Sequence, residues 1–165
     1  MRFCMKNEKV IILLAEGQTE KIIFQAVKKV GRFQFFNIWQ QQISKLFPKF
    51  GCSEVQIFVD TDKSNNSIEL RRFTENVEYL SKSKLKVKFY FQVNNLEDEL
   101  AYACNNCIYK EFSLIKGSSE LKEKLIKCTN LPQKLSNAEF DIEKLWTQKH
   151  DKCENVLLRF GFKKE

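Results

Sequence analysis

The sequence predicts an α/β domain, with a mostly parallel sheet flanked by helices and a helical C-terminal part. Short apolar runs of strand length alternate with amphipathic helical stretches up to about residue 108. Beyond that point the pattern is helical only. The chain therefore divides into an α/β domain over residues 1–108 and a helical extension over residues 109–165 that packs on the same domain.

The first run, Lys9–Ala15, reads Lys-Val-Ile-Ile-Leu-Leu-Ala and suits a central parallel strand covered on both faces. It ends in Glu16-Gly17-Gln18-Thr19-Glu20. Gly17 permits a tight turn, Thr19 can cap the next helix, and Glu20 sits well in its first turn. That helix is expected to reach about Val30, with Ile22, Ile23, Ala26, Val27 and Val30 on one face. Phe33, Phe35, Phe36, Ile38 and Trp39 form a dense aromatic group, read as core or a cap over it, with a partner-binding face as the alternative. Ile43, Leu46, Phe47 and Phe50 suggest a short helix ending near Pro48. Glu54–Val59 is a second strand, rich in Val, Ile and Phe. A polar loop follows, then a helix over Ser67–Ser81 that buries Ile68, Leu70, Phe73, Val77 and Leu80. Lys84–Val93 is a third strand, followed by Asn94-Asn95-Leu96, then Glu97-Asp98-Glu99, and a helix beginning near Leu100. Phe112–Ile115, Leu121–Ile126 and Ile142–Trp146 are expected helical segments separated by Gly117 and Pro132, and Asn155–Phe162 forms a last helix before a Lys-Lys-Glu tail.

At 165 residues the chain is the size of one domain, and 43% hydrophobic with 13% aromatic residues is enough apolar surface to argue against disorder. No apolar run approaches the roughly 20 residues that span a bilayer. Val10–Ala15 is too short for a signal peptide and lacks its cleavage site, so a cytoplasmic protein with no membrane partner is expected. The six Cys are accordingly expected as reduced thiols. Cys104-Asn-Asn-Cys107 has the spacing of a redox or zinc pair, but Cys128, Cys153 and His150 are not placed to complete a zinc site. Small apolar residues on a helix is the favoured reading. The net charge of +7 attracts polyanions, and a basic surface around an acidic centre suits a phosphodiester substrate.

That acidic centre follows from the topology. In a parallel sheet, functional groups gather beyond the carboxyl ends of the strands. The first strand delivers Glu16 and Glu20 there, the second Asp60 and Asp62, and the third Asn94, Asn95, Glu97, Asp98 and Glu99. Like charges held this closely raise each other's pKa or need a cation between them. Carboxylates without His or Cys make a hard-oxygen site, so Mg²⁺ or Mn²⁺ is expected, held by Glu16, Glu20, Asp60, Asp62 and Glu97. Two such ions about 4 Å apart can clamp the attacking and leaving oxygens of a phosphoryl transfer. Consecutive helical residues point about 100° apart, so Glu97, Asp98 and Glu99 cannot all face one metal. Glu97 is chosen because it follows the strand end most closely. Each acid also has a plainer use: Glu20 can serve only the helix dipole, and Asp62 only a turn. Lys63 is a candidate contact for nucleic-acid phosphate or a solvated counter-charge. Neither a Walker A sequence nor GxGxxG is present, and the lone His150 leaves little room for a Ser-His-Asp or Cys-His mechanism.

The order of these motifs resembles a topoisomerase–primase (TOPRIM) domain over roughly residues 9–105: a strand, Glu16-Gly17-Gln18-Thr19-Glu20, then a strand ending in Asp60-Thr61-Asp62. The EGxTE form and the later Asn-Leu-Glu-Asp segment are similar to the overcoming-lysogenization-defect (OLD) nucleases and small stand-alone TOPRIM proteins of bacterial defence systems. The resemblance implies a Rossmann-like sheet and metal-dependent cleavage or strand transfer of nucleic acid. By it, Glu16 matches the invariant Glu, a metal ligand or general acid/base, Asp60 and Asp62 the metal-binding pair, and Glu20 the second Glu of the OLD-type turn. It also implies a separate ABC-type ATPase partner, since OLD-type nucleases work with one and this chain carries none. The leading expectation is a Mg²⁺/Mn²⁺-dependent nuclease with Glu16, Asp60 and Asp62 as catalytic residues. A non-catalytic adaptor of the same fold is the alternative. A phosphotransfer enzyme with an Asp60 nucleophile would leave EGxTE unexplained.

Overall fold

The computed structural model describes residues 10–46 and 54–162. The predicted α/β architecture is present: a four-stranded, all-parallel sheet in the order β2-β1-β3-β4, flanked by helices on both faces. The strands are β1 (Ile11–Ala15), β2 (Arg32–Phe35), β3 (Glu54–Asp60) and β4 (Lys86–Gln92). Helices α1 (Gln18–Ala26), α2 (Ser67–Ser81) and α3 (Leu96–Ala103) follow β1, β3 and β4. The C-terminal part supplies α4 (Cys107–Glu111), α5 (Leu121–Lys127), α6 (Leu131–Asn137) and α7 (Asp151–Arg159).

The pleat divides the sheet's side chains between two cores. Ile12, Leu14, Val55, Ile57, Val59 and Phe91 face α2 and α7, meeting Phe73, Val77 and Leu80 of the first and Cys153 and Leu157 of the second. Leu13, Ala15 and Phe58 point the other way, onto Phe24 of α1, where Trp146 closes the edge. The outer side of α1 joins α3, α4, α5 and α6 in a further cluster around Ile23, Leu100, Ile108 and Leu125. Residues beyond 108 thus reach both sides of the sheet. No helix among the described residues is long and apolar enough to cross a membrane.

Several elements differ from expectation. The aromatic group after α1 contains a strand, β2, in register with β1 (Leu13 opposite Phe33, Ala15 opposite Phe35). Phe36, Ile38 and Trp39 are buried just beyond it, while Phe35 is half exposed. The α1 helix stops at Ala26 instead of Val30, because Lys28 takes a left-handed φ of 53°. Gly31 then passes over Leu13 so closely that a Cβ there would stand 2.7 Å from Leu13 Cγ. The cap of α1 is Gly17 and not Thr19, which lies inside the helix. The third helix begins at Leu96, capped by Asn95, whose side chain accepts from Asp98 N. Residues 112–115 are not helical but a turn at 112–113 followed by irregular chain, with left-handed φ at Ser113 and again at Gly117, and residues 142–146 form turns. Pro132 sits in the first turn of α6, where its missing N–H costs nothing. The Ser67–Ser81 helix has the expected bounds, is capped by Asn66 and buries Phe73, Val77 and Leu80, but Ile68, expected to point inward, is 79% exposed in the first turn. Only Ile43–Lys45, a 3-10 turn, is seen of the short helix expected before Pro48. Phe47, Pro48, Phe50, Cys4, Cys52, Lys9 and the Lys-Lys-Glu tail lie outside the described residues.

Candidate active site at the carboxyl edge of the sheet

Glu16, Glu20, Asp60, Asp62, Lys63, Glu97 and Asp98 line one open cleft of about 620 Å³ beyond the carboxyl ends of β1, β3 and β4. Parallel pairing of β1 with β3 and of β3 with β4 brings these stretches together, although they lie far apart in sequence. Glu16 follows β1 directly and accepts a 2.6 Å hydrogen bond from Asn37 Nδ2. A Cβ on Gly17 would lie 2.8 Å from Glu20 Oε2, so a larger residue there would push the Glu20 carboxylate aside. Glu20 itself is only 4% exposed. At the end of β3, the backbone oxygen of Asp60 accepts from Trp39 Nε1 at 2.8 Å, which fixes the point where the strand gives way to the site.

The middle residue of Asp60-Thr61-Asp62 does a different job. Thr61 is buried, and its hydroxyl donates to Gln92 O (3.2 Å) and accepts from Asn94 N (2.9 Å). Asp62 N donates to Asn94 O at 3.2 Å. The turn after β3 is therefore stitched to the turn after β4. Asp62 keeps Lys63 at 3.5 Å, both about half exposed. Of the three consecutive acids in α3, Glu97 and Asp98 reach the cleft, and Asp98 also accepts from Asn94 Nδ2. Glu99 points inward and is fully buried, accepting from Val93 N, Trp146 N and Gln148 Nε2. It is a structural strut between β4 and the segment before α7.

The electrostatics follow from crowding. Burial, then Glu20, Glu16, Asp62 and Glu97, push the Asp60 carboxyl up to about 8. Burial also raises Glu16, with Asp62 adding to it, and burial raises Glu20 against the opposing pull of its own backbone N–H. Asp60 Oδ1, Glu97 Oε1 and Thr19 Oγ1 are buried without a hydrogen-bond partner. Oxygen lone pairs left unpaired in a carboxylate cluster fit a hard cation, which would satisfy them and relieve the repulsion. Among the described residues, no three His, Cys, Asp or Glu side chains are grouped, as they stand, so as to hold a metal ion.

No family model, curated protein or solved structure matches the chain.

The cleft also has a wall that sequence reasoning missed. Tyr109 of α4, Gly117, Ser118 and Ser119 of the following turn, and Lys122 of α5 line it opposite the strand ends. Burial raises Glu16 and Glu20, and the Lys122 charge offsets a part of that rise in each. The only signal for this wall is Lys-Gly-Ser-Ser ahead of an apolar-periodic stretch, which does not reveal its direction. By contrast, Cys104 of the Cys-Asn-Asn-Cys pair is a core residue at the end of α3 whose thiol burial pushes up to about 12, so it is no reactive thiolate. A second cavity, about 470 Å³, runs along β4 and α7 and is lined mainly by apolar side chains such as Phe89, Trp146 and Leu158.

Proposed function

We propose that the chain is a divalent-metal-dependent nuclease that hydrolyses phosphodiester bonds in DNA or RNA. The observation that carries this reading is the convergence of Glu16, Glu20, Asp60, Asp62 and Glu97 on one cleft, with buried oxygens of Asp60 and Glu97 left unpaired. Asp60, Asp62, Glu20 and Glu97 would hold Mg²⁺ or Mn²⁺. Bound there, the cation supplies Lewis-acid stabilisation of charge on the phosphate oxygens. Glu16, at the more open side and oriented by Asn37, takes the proton of the attacking water. Lys63 and Lys122 draw the substrate phosphate into a cleft that would otherwise repel it. The positive net charge favours a polyanionic substrate over a small phosphate ester. In line with the resemblance to OLD-type nucleases, the reading extends to phage defence with a separate ABC-type ATPase.

The test combines Mn²⁺ calorimetry with cleavage assays on single- and double-stranded DNA and RNA. Asp60→Asn should cut at least about 100-fold more slowly than the parent while keeping its fold by circular dichroism, since loss of a central ligand removes several kcal/mol of transition-state stabilisation. A variant that cuts as fast as the parent, or a parent that binds no Mn²⁺ at millimolar concentration, would sink the reading.

A further inference from the structure

We infer that His150, the chain's single histidine, is a positioning residue that fastens the turn carrying Asp62 and Lys63 to helix α7. This rests on the metal-centred reading above. Asp62 and Lys63 belong to a short 3-10 helix, Thr61–Asn65. One side of that helix is anchored to the turn after β4 through Thr61 and Asp62 N. The other side faces the start of α7. There Ser64, only 2% exposed, places its hydroxyl 3.3 Å from His150 Nε2. Next to it, Lys152 Nζ donates to Asn65 Oδ1. The ligand turn is therefore gripped from two sides, and the α7 side comes from a part of the chain that supplies no carboxylate to the cleft.

Three features point to His150 itself. Its side chain makes no capping bond to α7, although it occupies the N-cap position, so it does not serve the helix. Its other ring nitrogen, Nδ1, is buried with no partner, which leaves the Ser64 contact as the ring's polar anchor. Ser64 is sealed from solvent, so the pair is no nucleophile–base couple, and its hydroxyl would lose its partner if the ring were removed. Metal ligands depend on such supports, and loss of an outer partner typically costs 10–100-fold in metal affinity.

Mn²⁺ titration of the full chain decides the matter, with wild type, His150→Ala, Ser64→Ala, the double variant and His150→Gln compared. The Gln carboxamide can reach the place of Nε2 and pair with the hydroxyl. Expected is a roughly tenfold weaker Mn²⁺ affinity for either Ala variant. The double variant should be no weaker than the worse single one, and His150→Gln should stay near wild type. Should His150→Ala fail to fold, Ser64→Ala with His150→Gln carries the same comparison. Unchanged affinity in the Ala variants, even with a lowered melting temperature, overturns the inference, as do additive losses. A wild type that binds no Mn²⁺ overturns the metal reading itself, a result distinct from binding that ignores His150.

Discussion

Asp60 is where burial and charge oppose each other most strongly. Its carboxyl is pushed up to about 8, first by burial and then by the neighbouring acids. Between pH 4 and 8 the folded, metal-free protein therefore holds a proton that the unfolded chain has lost. Stability from this group is full below about pH 4 and is lost as pH rises through 8. The raised Glu16, Glu20 and Glu99 act in the same direction. Metal-free protein should thus be less stable at pH 8 than at pH 5, by roughly 2 kcal/mol or more in urea denaturation. Asp60→Asn should flatten that dependence and Mn²⁺ should reverse it. Lys122 gives a second prediction at this scale. Lys122→Ala should raise KM for nucleic acid about tenfold, leave Mn²⁺ binding intact, and shallow the salt dependence of binding by about 0.7–0.9 in log–log slope. An unchanged salt slope would mean that Lys122 meets no phosphate.

Among the elements, residues 36–46 after β2 show how a mostly irregular segment is held in place by buried side chains. Asn76 of α2 is buried and accepts from Ile43 N while donating to Ile38 O and Gln41 O. That bracket seats Trp39, which stacks on Phe73 at 4.8 Å and donates to Asp60 O. Asn76→Ala strands three backbone groups, so it should cost about 2–4 kcal/mol of unfolding free energy. It should also weaken Mn²⁺ binding, because the backbone of Asp60 loses its registered donor. Helix boundaries were legible in the sequence where a cap and an amphipathic period coincided, as in Ser67–Ser81. They were not legible at Lys28 or Trp146, where a residue with a Cβ takes a left-handed φ: Lys28 in a turn closed by Lys29 N donating to Phe24 O, Trp146 where its N–H donates to the distant Glu99 carboxylate. The β2 strand was hidden for a related reason: Arg32–Phe35 is short, and it becomes a strand only by pairing with β1.

At the scale of the whole molecule, residues beyond 108 are part of the core. Cys153 and Leu157 lie against the sheet with Ile12 and Val55, and Glu99 is held by Trp146 and Gln148. A chain cut after residue 108 should lose cooperative urea unfolding, whereas the full chain should unfold in a single transition by circular dichroism and fluorescence alike. A cooperative truncated form would show that the two parts are separable. The sequence by itself determined the α/β class and the carboxylates at the strand ends. Apolar runs of strand length and the common direction of parallel strands are local facts with one geometric consequence. Only the tertiary structure decided which acids share the cleft, with Glu97 and Asp98 in and Glu99 turned inward. It alone placed Lys122 and Tyr109 opposite them and set His150 beside Ser64. Those placements depend on the direction in which helices far apart in sequence pack, which the periodicity of each helix does not contain.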